Sequence, residues 1–229
     1  MKINISLEKL LETGAHFGHQ SRRWNPKMEP YIYGEEGGVH VFDLIKTKDE
    51  LEKAFEILEK AVREDKKIVL VGTKKQVKDK VEEVAKATGQ YFVNERWLGG
   101  TLTNFEMIKR SLTKLKKMKE DREGGAFSEY TKIERLLLDR EISRLERFFG
   151  GLQGLDAKPD VLVIIDLKKE KGAAQEARKT GIVTIGIADT NSDPDLVDYT
   201  IPMNDDATKA LEYVLDLMQV AMAKKIRKE

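Results

Sequence analysis

The histidines form the first group whose type and spacing could support chemistry. The chain has three of them, His16, His19 and His40, and the first two are three residues apart. Imidazole nitrogens suit zinc, so a zinc site with three histidines is one interpretation. No carboxylate or fourth ligand accompanies them at a recognisable spacing. We therefore expect structural or RNA-facing histidines, with zinc as the alternative.

A second candidate is the loop GTKKQ at residues 72–76, which follows the apolar segment IVLV. Open parallel sheets bind ligands at the carboxyl ends of their strands, so Lys74 and Lys75 could meet a phosphate there. The loop has one glycine and lacks both the three-glycine dinucleotide pattern and the P-loop pattern. We expect Thr73, with Gln76 three residues later, to cap the following helix rather than bind phosphate.

The acidic segment DTNSDPD at residues 189–195 is the third candidate. Its carboxylates are the hard oxygen ligands that magnesium prefers. The same residue types build turns, and a turn is the interpretation we favour. Residues 185–206 contain six Asp and no Lys or Arg, so we expect this stretch to repel a nucleic-acid backbone.

Catalysis receives no positive support from the sequence. No nucleophile, base and orienting acid can be assembled, and no Gly-x-Ser-x-Gly elbow is present. The absence of cysteine removes thiolate metal sites and cysteine nucleophiles. A nucleotide- or phosphosugar-binding α/β enzyme stays as the alternative function.

The elements that must position these residues alternate between strand and helix. Continuous apolar runs separated by helices are typical of parallel strands covered on both faces, so we predict a doubly wound α/β fold. Gly89 is expected to end the helix that contains Val77–Ala85, and Thr47 with Glu50 to begin the helix at 48–62. The candidate strands are 39–42, 68–72, 91–93, 161–166, 182–187 and 199–201, and the other candidate helices are 7–13, 172–180 and 206–225.

Residues 102–149 interrupt the alternation. Apolar residues three or four apart run to Met118, and the same spacing resumes at Ile133 after a break that contains Gly124 and Gly125. We predict an antiparallel coiled-coil hairpin inserted into a discontinuous body of residues 1–101 and 150–229. Thr131 with Glu134 is expected to cap the second helix.

Positive charge is concentrated in the first helix of this hairpin. Residues 106–122 contain seven basic and three acidic side chains, whereas residues 129–149 contain five of each. A solvated coiled coil should alternate its signs, so the imbalance favours contact with a polyanion. The residues we select here are Lys109, Arg110, Lys114 and Lys117.

Two further segments place cations beside aromatic side chains or glycines. In residues 16–28, Arg22, Arg23 and Lys27 surround Trp24, which could stack on bases, anchor the segment to the body, or do both. In NERWLGGTLTN, residues 94–104, we expect Arg96 to make an external contact and the threonines Thr101 and Thr103 to cap the next helix.

Composition excludes several classes of protein. The chain has 229 residues, with 41 Lys and Arg against 40 Asp and Glu, so its net charge of +1 does not by itself indicate a nucleic-acid binder. No apolar run approaches the roughly 20 residues that a membrane helix needs. The N-terminus has charges among its apolar positions, and we expect no secretory signal and a cytoplasmic location.

The segments together resemble the bacterial small-subunit ribosomal protein S2 (uS2) family, over residues 5 to 220 or so. The resemblance is carried by GAHFGHQSRRWNPKM, VHVFDLIKT, IVLVGTKKQ, YFVNERWLGGTLTNF, FGGLQG, PDVLVIID and GIVTIGIADTNSDPD followed by VDYTIPMNDDA. RWLGGTLTN and DTNSDPD are its most specific motifs. The short basic end at residues 224–229 departs from the longer acidic extension of many relatives.

The resemblance implies a non-catalytic component of the small ribosomal subunit, located on the solvent side between head and body. It implies binding to ribosomal RNA, neighbouring ribosomal proteins including S1 as partners, and no small-molecule substrate. The resemblance also implies which parts of the chain correspond to the family's RNA-facing regions. These are the basic residues of 16–28, Lys74, Lys75, Arg96 and the first hairpin helix.

Overall fold

The fold is described from a computed structural model that covers residues 3–223, apart from the side chain of Ser128. The short basic end noted in the sequence, residues 224–229, lies outside the described residues. The helices are α1 (Leu7–Glu12), α2 (Leu44–Arg63), α3 (Lys78–Thr88), α4 (Phe105–Glu123), α5 (Lys132–Phe149), α6 (Lys171–Thr180) and α7 (Thr208–Met222). The strands are β1 (Phe17–Gln20), β2 (Ile32–Glu36), β3 (Val39–Phe42), β4 (Ile68–Val71), β5 (Tyr91–Val93), β6 (Val161–Ile164), β7 (Val183–Ala188) and β8 (Tyr199–Pro202).

A five-stranded parallel sheet forms the centre of the body. Its strand order is β5-β4-β6-β7-β8, and every neighbouring pair is parallel. Renumbered from β4, this is the 2-1-3-4-5 order of flavodoxin-like folds. The predicted doubly wound α/β fold is confirmed at this level.

Both faces of the sheet are buried because successive side chains point to opposite sides. Ile68 and Leu70 of β4 join a hydrophobic cluster with helices α1, α2, α3 and α7. Val69 and Val71 join a second cluster with α6 and with parts of α4 and α5. Continuous apolar sequence in β4 and β6 therefore reflects a sheet covered by helices on both faces.

Four predicted helix ends can be compared with the structure. Gly89 ends α3 in a left-handed conformation, and Thr131 and Glu134 form the predicted capping box of α5. The prediction for Thr47 was wrong, because Asp43 caps α2 and Thr47 lies inside that helix, donating to the Pro202 carbonyl at 2.6 Å. The prediction for Thr73 was also wrong, since its hydroxyl donates to the Glu170 carboxylate and α3 begins only at Lys78.

The N-terminal ribbon, which we define as β1, β2, β3 and their connections (residues 17–42), was predicted only in part. Strand 39–42 is present as β3, but it belongs to a separate antiparallel sheet of order β1-β3-β2. The candidate strands do not include residues 16–28, yet β1 occupies Phe17–Gln20. β1 has four residues and includes Gly18, so neither length nor hydrophobicity distinguishes it from a loop.

Helices α4 and α5 occupy the segment predicted as a hairpin, and they pack against each other. Phe105, Ile108, Leu145 and Phe149 are buried in the same cluster as one face of the sheet, whereas Ile133 is exposed. The body-proximal parts of both helices are therefore integrated with the sheet. Supercoiling of the pair and its status as a separate insertion stay predictions.

Gly151, directly after α5, provides a test of how tightly this end is fixed to the sheet. A Cβ at this position would lie 2.3 Å from the carbonyl oxygen of Phe92 in the segment Tyr91–Val93. We expect Gly151→Ala to lower the free energy of unfolding by about 1–3 kcal/mol, measured by guanidinium denaturation. Gly34→Ala, where a Cβ would meet no atom within 4 Å, should change it by less than about 0.5 kcal/mol. Equal stability of the two variants would contradict the packing described here.

Candidate RNA interface

The N-terminal ribbon is held in place by the acidic segment 189–195. Backbone N–H groups of Asn25 and His19 donate to the carbonyl and hydroxyl oxygens of Thr190, at 2.7 and 2.9 Å. A Cβ on Gly18 would lie 2.5 Å from the Thr190 methyl carbon, so glycine is needed for this close approach. Asp193 accepts a hydrogen bond from the backbone of Asp195, as expected for a turn. The favoured interpretation of DTNSDPD as a turn is confirmed.

This docking exposes two arginines of the ribbon. Arg22 and Arg23 lie on a short 3-10 turn and are exposed, while Trp24 is half-buried with its ring 4.8 Å from that of His40. Lys27 is exposed as well, but its ammonium group pairs with Asp193 at 2.9 Å and Asp195 at 2.7 Å. Trp24 thus anchors the segment, and the arginines are the cations left open to a partner.

Lys74 lies inside an ion-pair cluster at the carboxyl edge of the sheet. Its Nζ is 3.0 Å from Asp166, 2.7 Å from Asp205 and 2.8 Å from Asp206. Burial lowers the pKa of Lys74. The hydrogen bonds to Asp205 and Asp206 raise this pKa by more than burial lowers it, so its net shift is upward. Burial, together with the charges of Asp166 and Asp189, raises the pKa of Asp205 to about 7. Lys74 is therefore engaged within the protein and is not among the exposed cations.

The histidines do not form the three-histidine site considered above. His19 lies 2.9 Å from Asp189 and 3.6 Å from Asp206, and the hydrogen bond to Asp189 raises its pKa. His40 is buried against Trp24, and neither of its ring nitrogens has a hydrogen-bond partner among the described residues. Within that part of the chain, the one group of three side chains placed to share a metal ion is His19 with Asp205 and Asp206. The Lys74 ammonium already contacts both of those carboxylates.

Sequence reasoning missed Glu176, the residue that organises RWLGGTLTN. Its carboxylate accepts hydrogen bonds from the Trp97 indole, from the backbone N–H groups of Gly100, Leu102 and Thr103, and from the Thr103 hydroxyl, at 2.8–3.2 Å. Thr101 and Thr103 were expected to cap α4, but Thr101 donates to the Leu98 carbonyl instead and neither caps the helix. Arg96, in the same segment, is exposed.

The basic residues of α4 separate into two sets. Lys114 pairs with Glu141 of α5 at 2.8 Å, and Arg122 lies 3.4 Å from Asp139. Lys116 and Lys119 also have carboxylate partners, Glu120 and Glu146. Among the described residues, no carboxylate lies within 4 Å of three exposed side chains of the helix: Lys109, Arg110 and Lys117.

The predicted interface residues are thus sorted by their partners. Lys27, Lys74 and Lys114 are paired with carboxylates. The remaining cations are exposed and have no carboxylate within 4 Å in the described part of the chain: Arg22, Arg23, Lys75, Arg96, Lys109, Arg110 and Lys117. We call these seven side chains the open cations.

Comparison with known families identifies the family of this chain. Residues 10–225 match the family model described as ribosomal protein S2. The chain belongs to the ribosomal protein S2 family. Members of this family are structural proteins of the small ribosomal subunit, and the family is not one of enzymes. In the described residues of this S2 family member, no helix has the length and hydrophobicity to cross a membrane.

Glu176 should contribute to stability in a pH-dependent way. Burial raises the pKa of its carboxyl, but hydrogen bonds from Leu102, Gly100 and Thr103 outweigh burial, so the net pKa is lowered. A lowered pKa in the folded state gives stability that is present above the ordinary value and lost as pH falls through the folded value. We expect Glu176→Gln to lower the free energy of unfolding by about 1.5–3 kcal/mol at pH 7.

Urea denaturation at neutral pH and at about pH 3 measures this difference, which should shrink at the acidic pH as the wild-type carboxyl is protonated. Glu212→Gln, at an exposed position of α7, is the matched control and should stay near wild type. A loss that is the same at both pH values would show that the charge of Glu176 is not what stabilises the loop.

The stability that His19 contributes depends on pH in the opposite sense to that of Glu176. Its raised pKa means that protonation stabilises the docked ribbon below the ordinary value of 6.5, and this contribution disappears as pH rises through the folded value. NMR titration of the imidazole should give a pKa above 6.5 that falls in Asp189→Asn. His16 is the internal control, because burial lowers its pKa. An unchanged His19 titration in Asp189→Asn would refute the assignment.

Proposed function

We propose that this chain binds ribosomal RNA through the open cations, five of which form two exposed basic surfaces. The first surface is the turn that carries Arg22 and Arg23 on the N-terminal ribbon. The second is the outer face of α4 with Lys109, Arg110 and Lys117, and Lys75 and Arg96 are further contacts. Cations that contact phosphates release condensed counterions, which supplies most of the sequence-independent affinity.

The observation that carries this proposal is the division of cations into paired and open sets. A lysine that already pairs with a carboxylate has to lose that partner before it can neutralise a phosphate. Lys114 is such a case, because Glu141 lies 2.8 Å away. Lys109 and Lys117 on the same helix have no such partner in the described residues, so their full charge is available to RNA.

The acidic stretch 185–206 is compatible with this function. Four of its six carboxylates have cationic partners: Asp193 and Asp195 pair with Lys27, and Asp205 and Asp206 pair with Lys74. Asp189 accepts from His19. The repulsion of nucleic acid expected from the sequence is therefore reduced by neutralisation within the protein.

The remaining parts of the proposal concern partners and location. Exposed Ile133, Leu136 and Leu137 on α5 support contact with another protein, and ribosomal protein S1 is the partner that the family resemblance implies. We infer a cytoplasmic ribosome as the location. Catalysis is not part of the proposal, because the ribosomal protein S2 family is not one of enzymes.

Charge reversal at the open positions of α4 tests the RNA contact. We expect the triple variant Lys109→Glu, Arg110→Glu and Lys117→Glu to weaken binding to small-subunit ribosomal RNA. If all three side chains contact phosphates, the slope of log affinity against log salt should decrease in magnitude by about 2 to 3. Filter binding at several salt concentrations measures both quantities.

The matched control reverses the charge of three exposed lysines on the body helices by substitution with Glu: Lys60, Lys179 and Lys209. It changes the net charge equally and should preserve the salt slope. Cofractionation of both variants with small subunits in sucrose gradients provides the second readout. If the two variants bind RNA equally, the outer face of α4 is not an RNA contact.

A further inference from the structure

A cavity of about 400 Å³ lies at the carboxyl ends of three neighbouring strands of the central sheet. Thr73 follows β4, Arg96 and Trp97 follow β5, and Lys169 and Glu170 follow β6, and all of them line the cavity. Its volume falls within the range of small-ligand sites, roughly 300–1,000 Å³. The family assignment attaches no function to this cavity.

The cavity lies where the topology of the sheet favours a ligand. The connection from β4 to β5 contains α3, which packs in one hydrophobic cluster, and the connection from β6 to β7 contains α6, which packs in the other. Connections from β4 and β6 therefore leave toward opposite faces of the sheet. In open α/β sheets, the crevice at such a switch point is where ligands bind.

The charges around the cavity favour an anion. Arg96 is exposed with no carboxylate within 4 Å among the described residues, and the Lys169 ammonium donates to the Thr73 carbonyl at 3.0 Å. Glu95 also lines the cavity, but Lys78 at 3.0 Å and Arg147 at 2.7 Å neutralise it.

The other acidic group in the wall is Glu170. Its carboxylate accepts a hydrogen bond from the Thr73 hydroxyl, so it is engaged with the protein. Burial raises the pKa of the Glu170 carboxyl, and the nearby charge of Lys169 only partly opposes this effect. Among the described residues, Arg96 and Lys169 have no carboxylate within 4 Å.

An aromatic side chain, Trp97, forms part of the cavity wall. The Trp97 ring is fixed in orientation because its indole N–H donates to Glu176 at 3.2 Å. A fixed aromatic ring at the wall of a cavity can stack on any nucleic-acid base.

We propose that this cavity binds a nucleoside phosphate, with its phosphate at Arg96 and Lys169 and its base on Trp97. The ligand is either a free nucleotide or one unstacked nucleotide of an RNA strand. The RNA source rests on the function proposed above, whereas the free nucleotide does not. Binding at this cavity involves no bond cleavage.

Trp97 provides a direct reporter of occupancy. The chain has two tryptophans, so its ¹⁵N spectrum has two indole signals, and Trp24→Phe identifies the signal of Trp97. The full-length protein is titrated with adenosine 5′-monophosphate, with adenosine, and with a single-stranded oligoadenylate of four nucleotides. Lys169→Gln is the test variant. Lys179→Gln, in the last turn of α6, is the matched control.

We expect a saturable shift of the Trp97 signal, weakened at least about tenfold in Lys169→Gln and unchanged in Lys179→Gln. A response to the mononucleotide identifies the free nucleotide as a ligand, and a response to the oligonucleotide alone identifies the RNA source. Equal binding of adenosine and the mononucleotide, no shift with either phosphate ligand, or equal affinity of Lys169→Gln and wild type would each overturn the proposal. Those results would leave the α4 contacts untouched, because the charge-reversal variants test them separately.

Discussion

The ammonium group of Lys74 holds together the carboxyl edge of the sheet. It comes from the loop after β4 and contacts Asp166 after β6 and both Asp205 and Asp206 after β8. The lysine side chain is 16% exposed, and those of Asp166 and Asp205 are 7% and 4% exposed. Removing one partner from a buried ion pair costs about 3–5 kcal/mol, because the remaining charge is left without compensation. Asp205 in turn donates its backbone N–H to Asp189, so the cluster extends to the loop on which the N-terminal ribbon docks.

The same requirement for neutralisation determines which cations remain for a partner. With 35% charged residues and a net charge of +1, most carboxylates can find a cation within the chain. Lys27 and Lys114 are used in this way, at the base of the ribbon and between α4 and α5. The cations left over, such as Arg22, Arg23 and Lys109, are those through which we propose RNA binding, although the total charge is near zero. A total charge of this kind carries no information about individual faces.

The elements of the parallel sheet could be predicted because their signals are local. Apolar runs such as IVLV specify buried strands, and Thr131 with Glu134 specifies a helix start within four residues. The candidate site was less predictable, because its decisive partners are remote. Glu176 is one glutamate in a charged helix, and nothing near it in sequence indicates that it binds the backbone around Gly100. The pairing of Lys74 with Asp205 spans 131 positions of sequence, and sequence periodicity contains no signal for such a contact.

The position of the Thr190 loop has a consequence for the order in which the chain acquires its structure during synthesis. His19 and Thr190 are 171 positions apart, so the ribbon cannot dock until the ribosome has made nearly all of the chain. At translation rates of about 5–20 residues per second, this delay is roughly 10 to 35 s. The ribbon is therefore made long before the loop that holds it in place. The turn that presents Arg22 and Arg23 therefore reaches its final position only after strands β4 to β7 have been made, which couples one basic surface to formation of the sheet.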